Sequence, residues 1–163
     1  DAENTIKVIS EVFYDQTVYF IAGNHEYYGT LVHRANDIFK KEANKYNNIS
    51  FLNNNYVELD EIVLLGTCGW WDCFNDGGSR MMNDFVYIHD LNTDKKMGSP
   101  LNPFFANAWD DIIINHQPNV WISGHLHQSK TFSKYDTLFI ENGFGYYNTN
   151  ENVNFDKHLV LNV

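Results

Sequence analysis

The run Thr17-Val18-Tyr19-Phe20-Ile21-Ala22, followed at once by Gly23-Asn24-His25-Glu26, decides how this chain is read. Its β-branched and aromatic residues predict a strand, and the glycine ends that strand at a polar turn. The pattern returns far along the chain, where Val120-Trp121-Ile122-Ser123 runs into Gly124-His125-Leu126-His127. Ligands of open α/β sheets bind in the crevice outside the carboxyl ends of the strands, so two polar turns in these positions predict one composite site. Gly23 and Gly124 both suit a tight exit from a strand, since glycine takes backbone angles closed to other residues and lets a ligand approach the main chain. Imidazoles at i and i+2 reach two metals or two sides of one, and imidazole suits Zn, Fe, Mn and Ni.

Outward from these turns the pattern alternates helix and strand. Residues 4–14 carry Ile6, Ile9 and Phe13 at helical spacing, and residues 30–46 carry Leu31, Ala35, Ile38, Phe39 and Ala43 on one helix face. Short strands are predicted over 49–52, 56–59 and 62–65, the first two divided by Asn53-Asn54-Asn55, a turn composition. A helix is expected over 79–89. Residues 102–116 have helical periodicity, with Phe105, Ala108, Trp109, Ile112 and Ile113 on one face, His116 in the last turn and Pro118 as the stop. After the second histidine turn, strands are expected over 131–135, 138–141 and 159–163, with Asp136-Thr137 as a hairpin turn that makes this part antiparallel. The abundant asparagine reads as compositional bias, and most aromatics read as core. Tyr27, Tyr28, Trp70 and Trp71 flank strand ends and are alternative candidates for a cleft lining.

Length and composition suit one globular domain, with 163 residues and 44% apolar content. A net charge of −10, with Arg34 and Arg80 the only arginines, excludes a general nucleic-acid-binding surface, which needs Lys and Arg to meet phosphates. No run approaches the roughly 20 apolar residues that span a bilayer, so no membrane association is expected. Cys68 and Cys73 are spaced wrongly for a Cys-x-x-Cys redox motif and read as reduced thiols of a cytoplasmic protein.

The pair Gly-Asn-His-Glu and Gly-His-Leu-His, in that order, resembles the calcineurin-like metallophosphoesterases, and the aromatic stretch from Gly66 to Phe74 and the C-terminal strands are similar to a bacterial or phage branch of that family. The resemblance implies an α/β fold, a two-sheet β-sandwich flanked by helices, formed by residues 1–163 as a single domain. It implies that Asn24 and His125 bind one metal, that His127 binds the other, that His25 acts on the leaving-group oxygen, and that Glu26 orients a neighbour. Two divalent ions (Mn, Fe, Ni or Zn), about 3.5–4 Å apart, would activate a bridging water for hydrolysis of a phosphomonoester or phosphodiester. The partner implied is a small phosphorylated substrate, drawn to an acidic protein because bound cations dominate the local field. Glu26 also reads as a solvated loop carboxylate, and the other four as polar turn residues.

The family's early motifs, Asp-x-His and Gly-Asp-x-x-Asp, do not precede the first turn, and a strand ending in histidine is missing before the second. His116 is no substitute, because it lies too close to His125 for a separate strand-helix unit. The domain is therefore expected to be incomplete at its N-terminus and around 94–100. Two further functions stay open: a degenerate phosphoesterase fold used as a binding or scaffold module, and a mononuclear metal protein using Asn24, His125 and His127.

Overall fold

The computed structural model describes residues 2–69 and 109–162. The chain divides into two units, Asp1–Pro100 and Leu101–Val163. The aromatic stretch beyond Gly69, Cys73, the helix expected over 79–89, the junction around 94–100 and residues 102–108 lie outside the described residues.

In the first unit, helix α1 (Ala2–Val12) leads through a loop to strand β1 (Val18–Phe20). Helix α2 (Val32–Ala43) then crosses to strand β2 (Ile49–Phe51), which pairs parallel with β1 in the register Val18↔Ile49 and Phe20↔Phe51. A parallel pair needs such a crossover, because its two strands start at the same end. The α2 repeat that buries Ala35, Phe39 and Ala43 is the one the sequence spacing predicts. Phe39 is fully buried and sits against both strands, with ring centroids 5.4 Å from Phe20 and 5.3 Å from Phe51. Ile6 of α1 joins the same core. Glu42 is also buried on α2, and its charge is met by Lys45.

The loop before β1 is held by one side chain. Asn48 Nδ2 donates to the carbonyls of Phe13 (2.8 Å) and Gln16 (3.1 Å). Phe13, expected on the inner face of the first helix, lies beyond the end of α1 and is 41% exposed. Its carbonyl, not its ring, has the structural role. Strands β3 (Asn55–Leu59) and β4 (Ile62–Gly66) form an antiparallel hairpin. The asparagines before it close the turn as predicted: Asn53 N–H donates to Asn55 Oδ1 (2.6 Å), and Asn54 takes a left-handed φ of 55°.

The second unit opens with helix α3 (Asp110–His116), whose carboxylates Asp110 and Asp111 fall in the first turn and His116 in the last, as the helix dipole favours. Gln117 caps it with φ 43° and an N–H bonded to Ile113 O (2.8 Å), and Pro118 follows. Strands β5 (Val120–Ser123), β6 (Ser129–Lys134) and β7 (Thr137–Asn142) form a sheet of order β5-β7-β6. The β6–β7 hairpin is antiparallel as expected, but β5 runs parallel to β7, so the sheet is mixed. The hairpin turn is Tyr135-Asp136, one residue earlier than Asp136-Thr137. Both residues have positive φ, the geometry whose twist matches a two-residue hairpin. Thr137 is instead the first ladder residue, fully buried, with its hydroxyl donating to Pro118 O (2.7 Å). Phe132 and Phe139 stack directly across the pair at 4.9 Å, and Trp121 bridges Phe139 and Trp109.

No strand forms over residues 159–162. β7 already has a partner on each side, and the chain beyond it is fixed by side chains: Asn142 Nδ2 donates to Asp156 O (2.7 Å), and Asp156 N–H donates back to Asn142 Oδ1 (3.0 Å). Asparagine here performs the pairing that a ladder would otherwise provide.

Tyr27, one residue past the first motif, is 2% exposed and belongs to the core, with its hydroxyl donating to Asn36 Oδ1 on α2 (3.0 Å). Burial pushes the Tyr27 phenol well above its ordinary value, with Cys68 adding to the effect. Two measurements test this frame. Phe39→Ala is expected to lower stability by about 3–5 kcal/mol, read as the denaturant midpoint, because it empties the space between α2 and the parallel pair. Tyr27→Phe is expected to cost about 1 kcal/mol at neutral pH by stranding Asn36. The raised phenol adds a pH signature, since its folded state stays neutral where the unfolded phenol ionises. The contribution is whole below pH 10.0, the reference value, and is lost as pH rises from there toward the folded value. A wild-type stability curve that falls above that pH by no more than the Tyr27→Phe curve would contradict the assignment.

Candidate functional site

The first motif forms a single turn on a buried anchor. Asn24 starts a 3-10 turn over His25–Tyr27, closed by Tyr27 N–H to Asn24 O (3.1 Å) and Tyr28 N–H to His25 O (3.2 Å). With Tyr27 directed into the core, the preceding histidine is left exposed, its ring 4.7 Å from that of Tyr28. Asn24 is half-buried. Glu26 turns back on the start of the motif, where Oε2 accepts the Gly23 N–H at 2.8 Å. A Cβ at Gly23 would stand 3.1 Å from the same oxygen. Gly23 therefore contributes room for a carboxylate, not a left-handed backbone.

The second motif also departs from expectation at its glycine. Gly124 has no positive φ; the left-handed residue is His125, at φ 72°. Leu126 N–H donates to Gly124 O (2.9 Å) across it, and Gln128 N–H donates to Leu126 O (2.8 Å) across His127. Two successive three-residue turns thus carry the two histidines. A non-glycine residue held in this region costs on the order of 1–3 kcal/mol and persists where the surroundings over-determine it. The surroundings are visible. A Cβ at Gly143 would lie 2.2 Å from Leu126 O, so the loop after β7 presses its backbone onto the histidine turn, and Gly143 N–H also donates to Gln128 O (3.1 Å).

His127 lies against the segment that follows β7. Its Nδ1 pairs with Glu151 Oε2, and the two side chains are equally half-buried, at 34% each. The Tyr146 ring stands edge-on to it at 4.7 Å. Gly145, at φ 88°, lets the loop pass close beside the pair, 3.4 Å from His127 Cβ at the position a side chain would take. Asn152 then staples the segment to the sheet, with Nδ2 donating to Ser129 Oγ (2.8 Å) and Gly143 O (2.7 Å).

Asn24, His25 and Glu26 thus share one turn in the first unit, and His125 and His127 share another in the second. The structure adds Glu151, Tyr146 and Asn152 to the second turn. Sequence spacing carries no signal for these three, which lie in an asparagine-rich stretch without periodicity. An Asp-x-His triplet does occur at Asp156-Lys157-His158, but its carboxylate accepts the His158 N–H (2.8 Å) and its main chain is bonded to Asn142. Among the described residues no three His, Cys, Asp or Glu side chains form a group that would hold a metal ion, and no helix is long and apolar enough to cross a membrane.

An uncharacterized protein of Acanthamoeba polyphaga mimivirus is 28% identical over 118 residues, which cover 65% of this chain and 41% of that protein. The chain thus spans about two fifths of the length of that relative. No solved structure matches. The family model described as calcineurin-like phosphoesterase matches residues 2–129, a span that holds both the asparagine-histidine turn and the paired histidines. By that match over most of its length, the chain belongs to the calcineurin-like phosphoesterases.

Proposed function

We propose that the protein containing this chain is a metal-dependent phosphoesterase that hydrolyses a phosphomonoester or phosphodiester of a small substrate. The observation that carries this reading is the strained, buttressed turn at Gly124-His125-Leu126-His127, inside the span matched by the family. His125 is exposed and held at φ 72°, at a cost to the backbone. Holding two imidazoles toward a ligand supplies a reason for it.

The family generally uses divalent metal ions. The chain's donors fit such ions in kind: an amide oxygen from Asn24 and imidazoles from His125 and His127, a mixed N/O set suited to Mn, Fe, Ni or Zn. The Glu151 carboxylate takes Nδ1 of His127, which leaves Nε2 as that ring's donor. In this reading Asn24 and His125 would hold one ion and His127 a second. Bound divalent ions supply an activated water and neutralise charge on the phosphoryl oxygens.

The chain's own residues do the rest. His25, exposed beside Tyr28, donates a proton to the departing alkoxide or stabilises its charge. Glu26 holds the turn that presents Asn24 and His25 by taking up the Gly23 N–H. A cytoplasmic location accords with the reading of the cysteines as reduced thiols.

The protein is expected to hydrolyse an aryl phosphate with added Mn²⁺, and His127→Ala is expected to abolish that hydrolysis. Undiminished metal-dependent turnover in His127→Ala would remove His127 from the site. Metal titration separates the remaining readings: two equivalents bound support the dinuclear centre, one supports a mononuclear protein, and none, with no turnover, supports a scaffold module.

A further inference from the structure

Glu151 is used by nothing described so far except its pairing with His127, yet the surrounding segment is built around it. The chain after β7 could pass the histidine turn with its side chains in water. Instead Gly143 and Gly145 strip two side chains from the approach, one at a place where a Cβ would stand 2.2 Å from Leu126 O, the other at φ 88°. Two hydrogen bonds from Asn152, adjacent to Glu151, then fix the height of the loop over β6. Asn154 N–H donates to Asn152 Oδ1 (3.1 Å), so the staple's own amide is oriented on its other side. The Tyr146 ring stands at 81° to the His127 ring, with centroids 4.7 Å apart. A Cβ on Gly145 would come within 3.1 Å of Glu151 Oε2, so any other residue there crowds the carboxylate itself.

We infer that Glu151 is a positioning residue for His127: it holds the ring in the Nδ1–H tautomer and fixes its plane, so that Nε2 carries the outward lone pair. A neutral imidazole offers one donor and one acceptor nitrogen, and which is which follows from the partner of one of them. A carboxylate only accepts, so its partner nitrogen must carry the proton. The same contact raises the electron density at Nε2, as carboxylate–histidine pairs do at metal sites, where losing the outer partner typically weakens metal affinity about 10–100-fold. The consequence for metal binding rests on His127 being a ligand; the tautomer does not.

The test reads both separately on the full protein. Metal-free protein with ¹⁵N-labelled histidine, at a pH where imidazole is neutral, is expected to show His127 with a protonated Nδ1 and a bare Nε2. Glu151→Ala is expected to shift that pattern toward a tautomer mixture and to weaken Mn²⁺ binding about 10–100-fold by titration calorimetry. Glu151→Gln retains an acceptor oxygen on the same stem and is expected to restore the Nδ1–H pattern and part of the affinity, which a loss of loop packing alone would not produce. A wild-type His127 protonated at Nε2, or a Glu151→Ala protein that is folded and keeps the wild-type pattern, overturns the assignment. If the pattern moves as expected while Mn²⁺ affinity is unchanged in both Glu151→Ala and His127→Ala, the tautomer lock stands and the reading of His127 as a ligand falls.

Discussion

Phe39 holds the first unit together. Its ring lies against Phe20 on one strand and Phe51 on the other, so a single residue of α2 ties the crossover helix to both members of a parallel pair whose strands are only three residues long. So short a pair has few ladder bonds of its own and depends on the helix laid over it. The position of the first motif depends on it in turn. Tyr27 enters the same buried cluster and bonds Asn36 on α2, which leaves His25 outside and Asn24 at the edge. The motif's chemistry is presented at the surface because its neighbour is committed to the core.

The second turn is supported differently. Among the described residues it has no buried tyrosine beneath it; it is held from the side by the segment after β7, through two glycines, an asparagine staple and a carboxylate. Both turns share one economy. In each, a glutamate fixes the geometry of a motif residue: Glu26 holds the Gly23 amide, and Glu151 holds the His127 ring. In an acidic chain these carboxylates are not simply solvating charge.

The sequence was legible where one period governed a segment. α2 could be read because Ala35, Phe39 and Ala43 recur at helical spacing, and the β6–β7 hairpin because alternation surrounds a turn. The family could be read because two four-residue strings keep their order. Elsewhere a residue's task is set by a partner far along the chain. Phe13 fits the α1 pattern, but the helix ends first and Asn48 takes its carbonyl. Residues 159–162 are apolar enough for a strand, yet β7 has no free side. Gly124 seemed the residue for a strained backbone, and the strain sits on His125 because the constraint comes from Gly143 opposite. Asparagine looked like bias, whereas Asn48, Asn142 and Asn152 each bridge segments that share no ladder. Glu151 had no pattern around it to mark it.

The contact at Gly143 also changes what counts as the motif. With Leu126 O standing where a Cβ would be, position 143 admits no other residue unless the histidine turn itself moves, although its own φ is unexceptional. The signature of this turn is therefore discontinuous: Gly-His-Leu-His in one place and a lone glycine after the last strand. A lineage that drifts at the glycine would lose the geometry while every letter of the recognised string survived. Searches for degenerate members of such a fold would do well to inspect that distant position before the histidines.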